Sequence, residues 1–164
     1  MIVGNLNYSF PYKEIETLEQ LDNSLVKLIS LARDMTSKAY APYSSFYVGA
    51  AILLSDGSYI GGCNQENASY PLCICAERVA LYNYGASETE THIVALAISA
   101  NNPNKPLTNP CMPCGACRQV IQEFELRQNQ PISLYLTANN ISTIVHIDGI
   151  NHILPQAFDR ADLI

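Results

Sequence analysis

The stretch His92-Ile93-Val94-Ala95-Leu96-Ala97-Ile98-Ser99-Ala100 restricts this chain more than any other. A nearly continuous apolar run of strand length fits a central strand buried on both faces, and such a strand needs apolar layers on each side. The flanking sequence supplies them. From about Thr17 to Lys38, Leu18, Leu21, Leu25, Leu28, Ile29 and Ala32 recur at helical spacing, and the pattern stops before Pro42. Phe46 to Leu54 and Ser58 to Cys63 flank Asp56-Gly57, a pair suited to the positive φ angles of a tight hairpin turn. A second helix is expected from about Leu72 to Tyr84, with Ser69 as a cap, Pro71 in its first turn and Gly85 as its stop. After an Asn- and Pro-rich loop, Gly115 to Arg127 reads as a third helix.

Two further strands follow, Ile132 to Thr137 and Ser142 to Asp148. Only Ala138 to Ile141 joins them, far short of the dozen or so residues of a parallel crossover, so the last pair must be antiparallel. The order helix, two strands, helix, strand, helix, two strands describes a three-layer α/β domain: a mixed five-stranded sheet with helices on both faces. Residues 1–14 show no periodicity and read as an N-terminal extension, with 15–164 as a single domain.

At 164 residues and 48% hydrophobic, the chain can bury a core without a staple or a partner. Nine Lys and Arg against 15 Asp and Glu leave a net charge of −6, which argues against a nucleic-acid partner, because phosphate neutralisation takes clustered cations. No apolar run approaches the roughly 20 residues of a membrane span. The start, Met1-Ile2-Val3-Gly4-Asn5, has neither a basic nor an apolar signal region, so the expected location is the cytoplasm.

Six cysteines stand at 63, 73, 75, 111, 114 and 117. A disulfide framework belongs to short secreted chains, so these read as metal or redox thiols. Cys75-Ala76-Glu77-Arg78 and Pro113-Cys114-Gly115-Ala116-Cys117-Arg118 both fall at expected helix starts, where unsatisfied N–H groups and the helix dipole favour thiolates. Cys114 and Cys117 can reach one zinc ion, and Cys75 makes a third ligand, leaving the fourth tetrahedral position open for catalysis. Glu77, two residues past Cys75, is placed to exchange protons at that position. Arg78 offsets the excess charge of three thiolates around Zn²⁺. His92, His146 and His152 have no ligand spacing.

Other readings of the same thiols exist. A thioredoxin-like redox pair uses Cys-x-x-Cys but leaves Cys75-Ala76-Glu77 without a role. Pro110-Cys111-Met112-Pro113-Cys114 offers an overlapping frame, and Cys111 as a fourth thiolate would give a closed structural zinc module. Pro113 favours the first frame, because it sets Cys114 and Cys117 one turn apart on the helix and leaves Cys111 in the loop.

Taken with Ala41-Pro42-Tyr43-Ser44-Ser45-Phe46-Tyr47-Val48-Gly49-Ala50-Ala51 and Gly62-Cys63-Asn64-Gln65-Glu66-Asn67-Ala68-Ser69-Tyr70, these segments resemble the small homotetrameric cytidine deaminases, from about Leu18 to Phe158. The resemblance implies zinc on Cys75, Cys114 and Cys117, with Glu77 as proton shuttle, the arrangement known for zinc deaminases as a class. It further implies that Phe46 packs on the pyrimidine, that Asn64 and Glu66 hydrogen-bond the ribose 3′-hydroxyl, and that Ala76 belongs to the substrate site. Ala68, Tyr70 and Phe158 match positions that reach a neighbouring subunit's site. The implied reaction is hydrolysis of cytidine and deoxycytidine to the uridines and ammonia, on free nucleosides. A deaminase of another aminopyrimidine nucleoside, such as an antibiotic, would share the scaffold, but Asn64 and Glu66 argue for a ribose.

The chain departs from the family pattern at Tyr47, Gln65, Cys73 and Asp159, and neither the N-terminal extension nor the Asn101–Pro110 loop has a placed counterpart.

Overall fold

In the computed structural model, which describes residues 8–87 and 90–163, the elements run β1 (Lys13–Ile15), α1 (Asn23–Met35), β2 (Tyr47–Leu54), β3 (Tyr59–Cys63), α2 (Ala76–Ala86), β4 (Ile93–Asn101), α3 (Gly115–Gln128), β5 (Ser133–Leu136) and β6 (Ile144–Asp148). The strands form one mixed sheet in the order β1-β6-β5-β4-β2-β3. β4 runs parallel to β5 and antiparallel to β2, and β5 pairs antiparallel with β6, as their short link requires.

The apolar run does what its composition demands. On one face, Leu96 and Ile98 of β4 pack with Ala50 and Ile52 of β2 against Ala80 and Leu81 of α2 and Ile121 and Phe124 of α3. On the other, Ala95, Ala97, Ala51 and Leu53 meet Leu28, Ile29 and Ala32 of α1. Each of the large residues buried here is worth about 1.5–3 kcal/mol relative to its exposed state, so the two layers secure the sheet from both sides.

Three details differ from expectation. The described residues hold six strands rather than five: β1 pairs with β6 at the sheet edge through Lys13↔His146, Glu14↔Val145 and Ile15↔Ile144. Three residues are too few to display an alternation, so this strand is defined by its partner alone. The first helical stretch is split, because the Asp22 carboxylate accepts from the N–H groups of Ser24 and Leu25 and so starts α1 afresh. The second helix begins at Ala76, and the segment ahead of it, Tyr70–Leu72, is a separate 3-10 turn carrying Pro71. Gly85 is not the stop but lies inside α2, where a Cβ would stand 3.2 Å from the Phe124 ring.

The hairpin closes on Gly57 at φ +83°. Gly62 on β3 matters for a different reason. A Cβ there would come within 2.5 Å of the Ala80 nitrogen and 2.6 Å of the Ala76 carbonyl oxygen. The missing side chain lets the first turns of α2 lie directly on the sheet, and this fixes where Cys75 and Glu77 are delivered.

Candidate active site

Two helices open at one place. Cys75 occupies the N-cap position of α2, Cys114 that of α3, and Cys117 lies buried in the first turn of α3. The Cys114 sulfur is 4.0 Å from that of Cys75 and 3.5 Å from that of Cys117, and all three lie within 4.8 Å of one another. A tetrahedral zinc ion with Zn–S bonds of about 2.3 Å spaces its sulfurs about 3.8 Å apart, so the donor set fits zinc almost as it stands. Arg78 Nη2 donates to the Cys75 sulfur at 3.5 Å. A hydrogen bond from Cys117, joined by Arg78, holds the Cys75 thiol far below its ordinary range despite burial, which opposes it. Cys117, donating to Cys75 and desolvated, is pushed the other way.

Cys111 is not part of this cluster. Its N–H donates to the Thr137 carbonyl, its side chain packs against the core, and burial pushes its thiol up to about 12. The helical frame is therefore the one the structure assembles. Arg118 supports it from behind: Nε donates to the Pro113 carbonyl at 2.9 Å and Nη1 to the Ile153 carbonyl at 2.8 Å. The first bond fixes the turn that presents Cys114.

Beside the sulfurs lies a cavity of about 430 Å³, within the range of small-molecule sites. Phe46, Asn64, Glu66, Cys75, Glu77, Arg78 and Cys114 line it, together with Ser44, Cys73, Cys111 and Met112. Glu77 is only 4% exposed, and desolvation raises its carboxyl above the ordinary value. A buried acid whose neutral form is favoured, next to a metal-competent cluster, is suited to taking up and returning protons. Asn64 Oδ1 accepts from the Val48 N–H and its Nδ2 donates to the Phe46 carbonyl. The Ser44 hydroxyl, aided by the backbone N–H groups of Tyr43 and Ser44, keeps the Glu66 carboxyl below its usual range.

Not every residue singled out in the sequence enters this cavity. Ala76 is fully buried in the first turn of α2, outside the cavity lining. Ala68 is exposed, and Tyr70, 69% exposed, meets Tyr43 edge-on. Phe158, 58% exposed, lines a separate apolar groove with Tyr82, Val120 and Phe124, its carbonyl accepting from Gln119 Nε2. Conversely, Ser44 and Arg118 emerge only from the structure. Both act on groups distant in sequence or through backbone carbonyls, which spacing does not display.

Residues 22–130 match the family model described as the cytidine and deoxycytidylate deaminase zinc-binding region. The chain is 40% identical over 137 residues to the cytidine deaminase of Sporosarcina psychrophila, spanning 84% of this chain and 93% of that relative. It is 42% identical over 138 residues to the cytidine deaminase of Mycobacterium tuberculosis, spanning 80% of this chain and 87% of the relative. A crystal structure of cytidine deaminase from Burkholderia pseudomallei matches the fold with a TM-score of 0.69 at 40% identity, covering 80% of this chain and 97% of that one.

Metal analysis after dialysis against a mild chelator checks the ligand frame. Cys117→Ser is expected to lose zinc and Cys111→Ser to keep it, and the opposite pattern would move the site into the loop frame.

Proposed function

We propose, because this chain belongs to the cytidine and deoxycytidylate deaminase family, that it catalyses zinc-dependent hydrolytic deamination of cytidine to uridine and ammonia, with deoxycytidine as a second substrate. The observation that carries the reading is the buried Glu77 carboxyl sharing one cavity with Cys75 and Cys114 of the three-sulfur cluster. Cys75, Cys114 and Cys117 hold the metal, and when bound zinc supplies the Lewis acidity that makes water a nucleophile near neutral pH. Glu77 takes a proton from the attacking water and gives it to N3 of the pyrimidine as oxygen adds at C4, then carries the remaining hydroxyl proton from the new C4–OH to the amine, so that C4=O forms as ammonia leaves. Arg78 shares the charge of Cys75, which keeps the cluster from being over-rich in electrons.

The sugar is read by Asn64 and Glu66. With Asn64 already bonded to Val48 and Phe46, its amide keeps one N–H to donate, and Glu66 accepts. Directed at a 3′-hydroxyl, which ribose and deoxyribose share, this pair admits both nucleosides. Phe46 packs on the base, with Ala76 supporting the catalytic turn from beneath. The Glu66 carboxylate and a net charge of −6 disfavour nucleotides and polynucleotides. The enzyme works as one deaminase domain, which takes in Lys13 and Glu14 at the end of the expected extension 1–14 as part of its edge strand β1. Six free thiols suit a reducing cytoplasm, and no helix among the described residues is long and apolar enough to cross a membrane.

The assembly is a homotetramer with shared active sites. Tyr70, Leu72, Tyr82 and Phe158 leave large apolar surface exposed on the isolated chain, and Ala68, Tyr70 and Phe158 lie outside the cavity of their own subunit. In a closed symmetric assembly the same patch serves every subunit, so these residues complete a neighbour's pocket.

Glu77→Gln is expected to retain zinc and the native melting behaviour while losing about 10²–10⁴-fold in turnover of cytidine, followed by its ultraviolet absorbance. Near-normal turnover would overturn the proton-shuttle role. Light scattering of the purified enzyme reads the assembly, with a tetramer expected and a monomer fully active on dilution as the contrary result.

A further inference from the structure

Among the bonds that join the turn ahead of β2 to the segment after β3, the Ser44 hydroxyl links Glu66 directly to the Phe46 backbone. Ser44 Oγ donates to Glu66 Oε1 at 2.5 Å and accepts from the Phe46 N–H at 3.0 Å. Glu66 Oε2 accepts from the N–H groups of Tyr43 at 2.9 Å and Ser44 at 3.3 Å. From the other side, Asn64 Nδ2 donates to the Phe46 carbonyl at 2.9 Å. Phe46 is thus held at both its N–H and its C=O, and each bond leads to one of the two polar residues of the sugar-facing pair. Between Ser44 and Phe46, Ser45 holds φ +55°, a left-handed bend uncommon outside glycine that turns the Phe46 N–H back towards Ser44.

Donor and acceptor arithmetic sharpens this. A carboxylate offers about four lone-pair sites, two per oxygen. Two N–H groups occupy those of Oε2, and Ser44 takes one of the pair on Oε1, so one acceptor position remains on Oε1. The O–H to carboxylate bond is charge-assisted and orients the group strongly. The two backbone N–H groups therefore leave Oε1 as the oxygen offered to a ligand, and the Ser44 hydroxyl orients that oxygen and ties it to the backbone of Phe46.

We propose that Ser44 is a positioning residue for sugar recognition, holding the Glu66 carboxylate in register with Phe46 so that a nucleoside's 3′-hydroxyl and its base are gripped as one unit. This rests on the reading above in which Glu66 takes the 3′-hydroxyl. Ser44 acts through Glu66 and Phe46, and its removal costs most binding where there is a 3′-hydroxyl to bind.

Steady-state kinetics of the zinc-loaded enzyme with cytidine and with 3′-deoxycytidine test this, using Ser44→Ala, Ser44→Thr and Glu66→Gln. Ser44→Ala is expected to raise KM for cytidine about tenfold, to leave kcat nearly unchanged, and to raise KM for 3′-deoxycytidine far less. Ser44→Thr, which keeps the hydroxyl, restores the cytidine KM. Should the alanine variant fail to fold, Ser44→Cys, close in size but a weaker donor, carries the same comparison. If Glu66→Gln affects both substrates equally, the assignment of Glu66 to the 3′-hydroxyl falls, and this inference with it. If Glu66→Gln separates the substrates but Ser44→Ala does not, the inference about Ser44 alone is overturned. An equal KM rise for both substrates with a lowered melting temperature would make Ser44 merely structural, and also overturns it.

Discussion

Three thiol sulfurs within 4.8 Å of one another cannot all ionise unless positive charge is brought to them, and the architecture around the cavity is organised to bring it. Two helix N-termini point their unpaired N–H groups at the cluster, and Arg78 adds a full cation. Zinc is the remaining contribution, and the sulfur spacing suits it. The arrangement also isolates Glu77: its turn of α2 is pressed onto β3 at Gly62, and the carboxyl is left almost without water. A single constraint, the meeting of two helix starts, therefore brings together the three-sulfur cluster and the buried carboxyl proposed as proton carrier.

The sheet turns that constraint into a site of fixed shape. β4, covered on both faces, is the reference against which α2 and α3 are set on one side and α1 on the other. The β2–β3 hairpin carries the residues proposed to bind the nucleoside on the same scaffold, since Asn64 directly follows β3 and Phe46 directly precedes β2. Cross-bonds between these two strand ends bring the binding residues together before any ligand arrives. Such pre-organisation lowers the ordering cost of binding. On the metal side, Arg118 links the turn before Cys114 to Ile153, so the C-terminal segment is coupled to the same centre.

Much of this was legible because it depends on local pattern. The Asp56-Gly57 turn, the double-sided burial of β4 and the antiparallel β5–β6 pair follow from composition and link length. The choice of Cys114 with Cys117 follows from a proline at a helix start. What escaped depends on contacts between distant residues. β1 exists through its pairing with β6, and Gly85 lies inside α2 where the Phe124 ring leaves little room for a side chain. The role of Ser44 depends on a carboxylate 22 residues away. Ala68, Tyr70 and Phe158 lie away from the cavity of their own chain, and the place given them in the sequence rests on resemblance, not on any pattern within one chain.

The central claim is an open metal centre in which three cysteines leave one position to chemistry. X-ray absorption at the zinc edge of the purified protein addresses it most directly. Three sulfur scatterers at about 2.3 Å and one lighter oxygen or nitrogen scatterer at a shorter distance are expected. A shell of four sulfurs, with Cys111 recruited as the fourth, would mean a closed structural centre with no position left for chemistry.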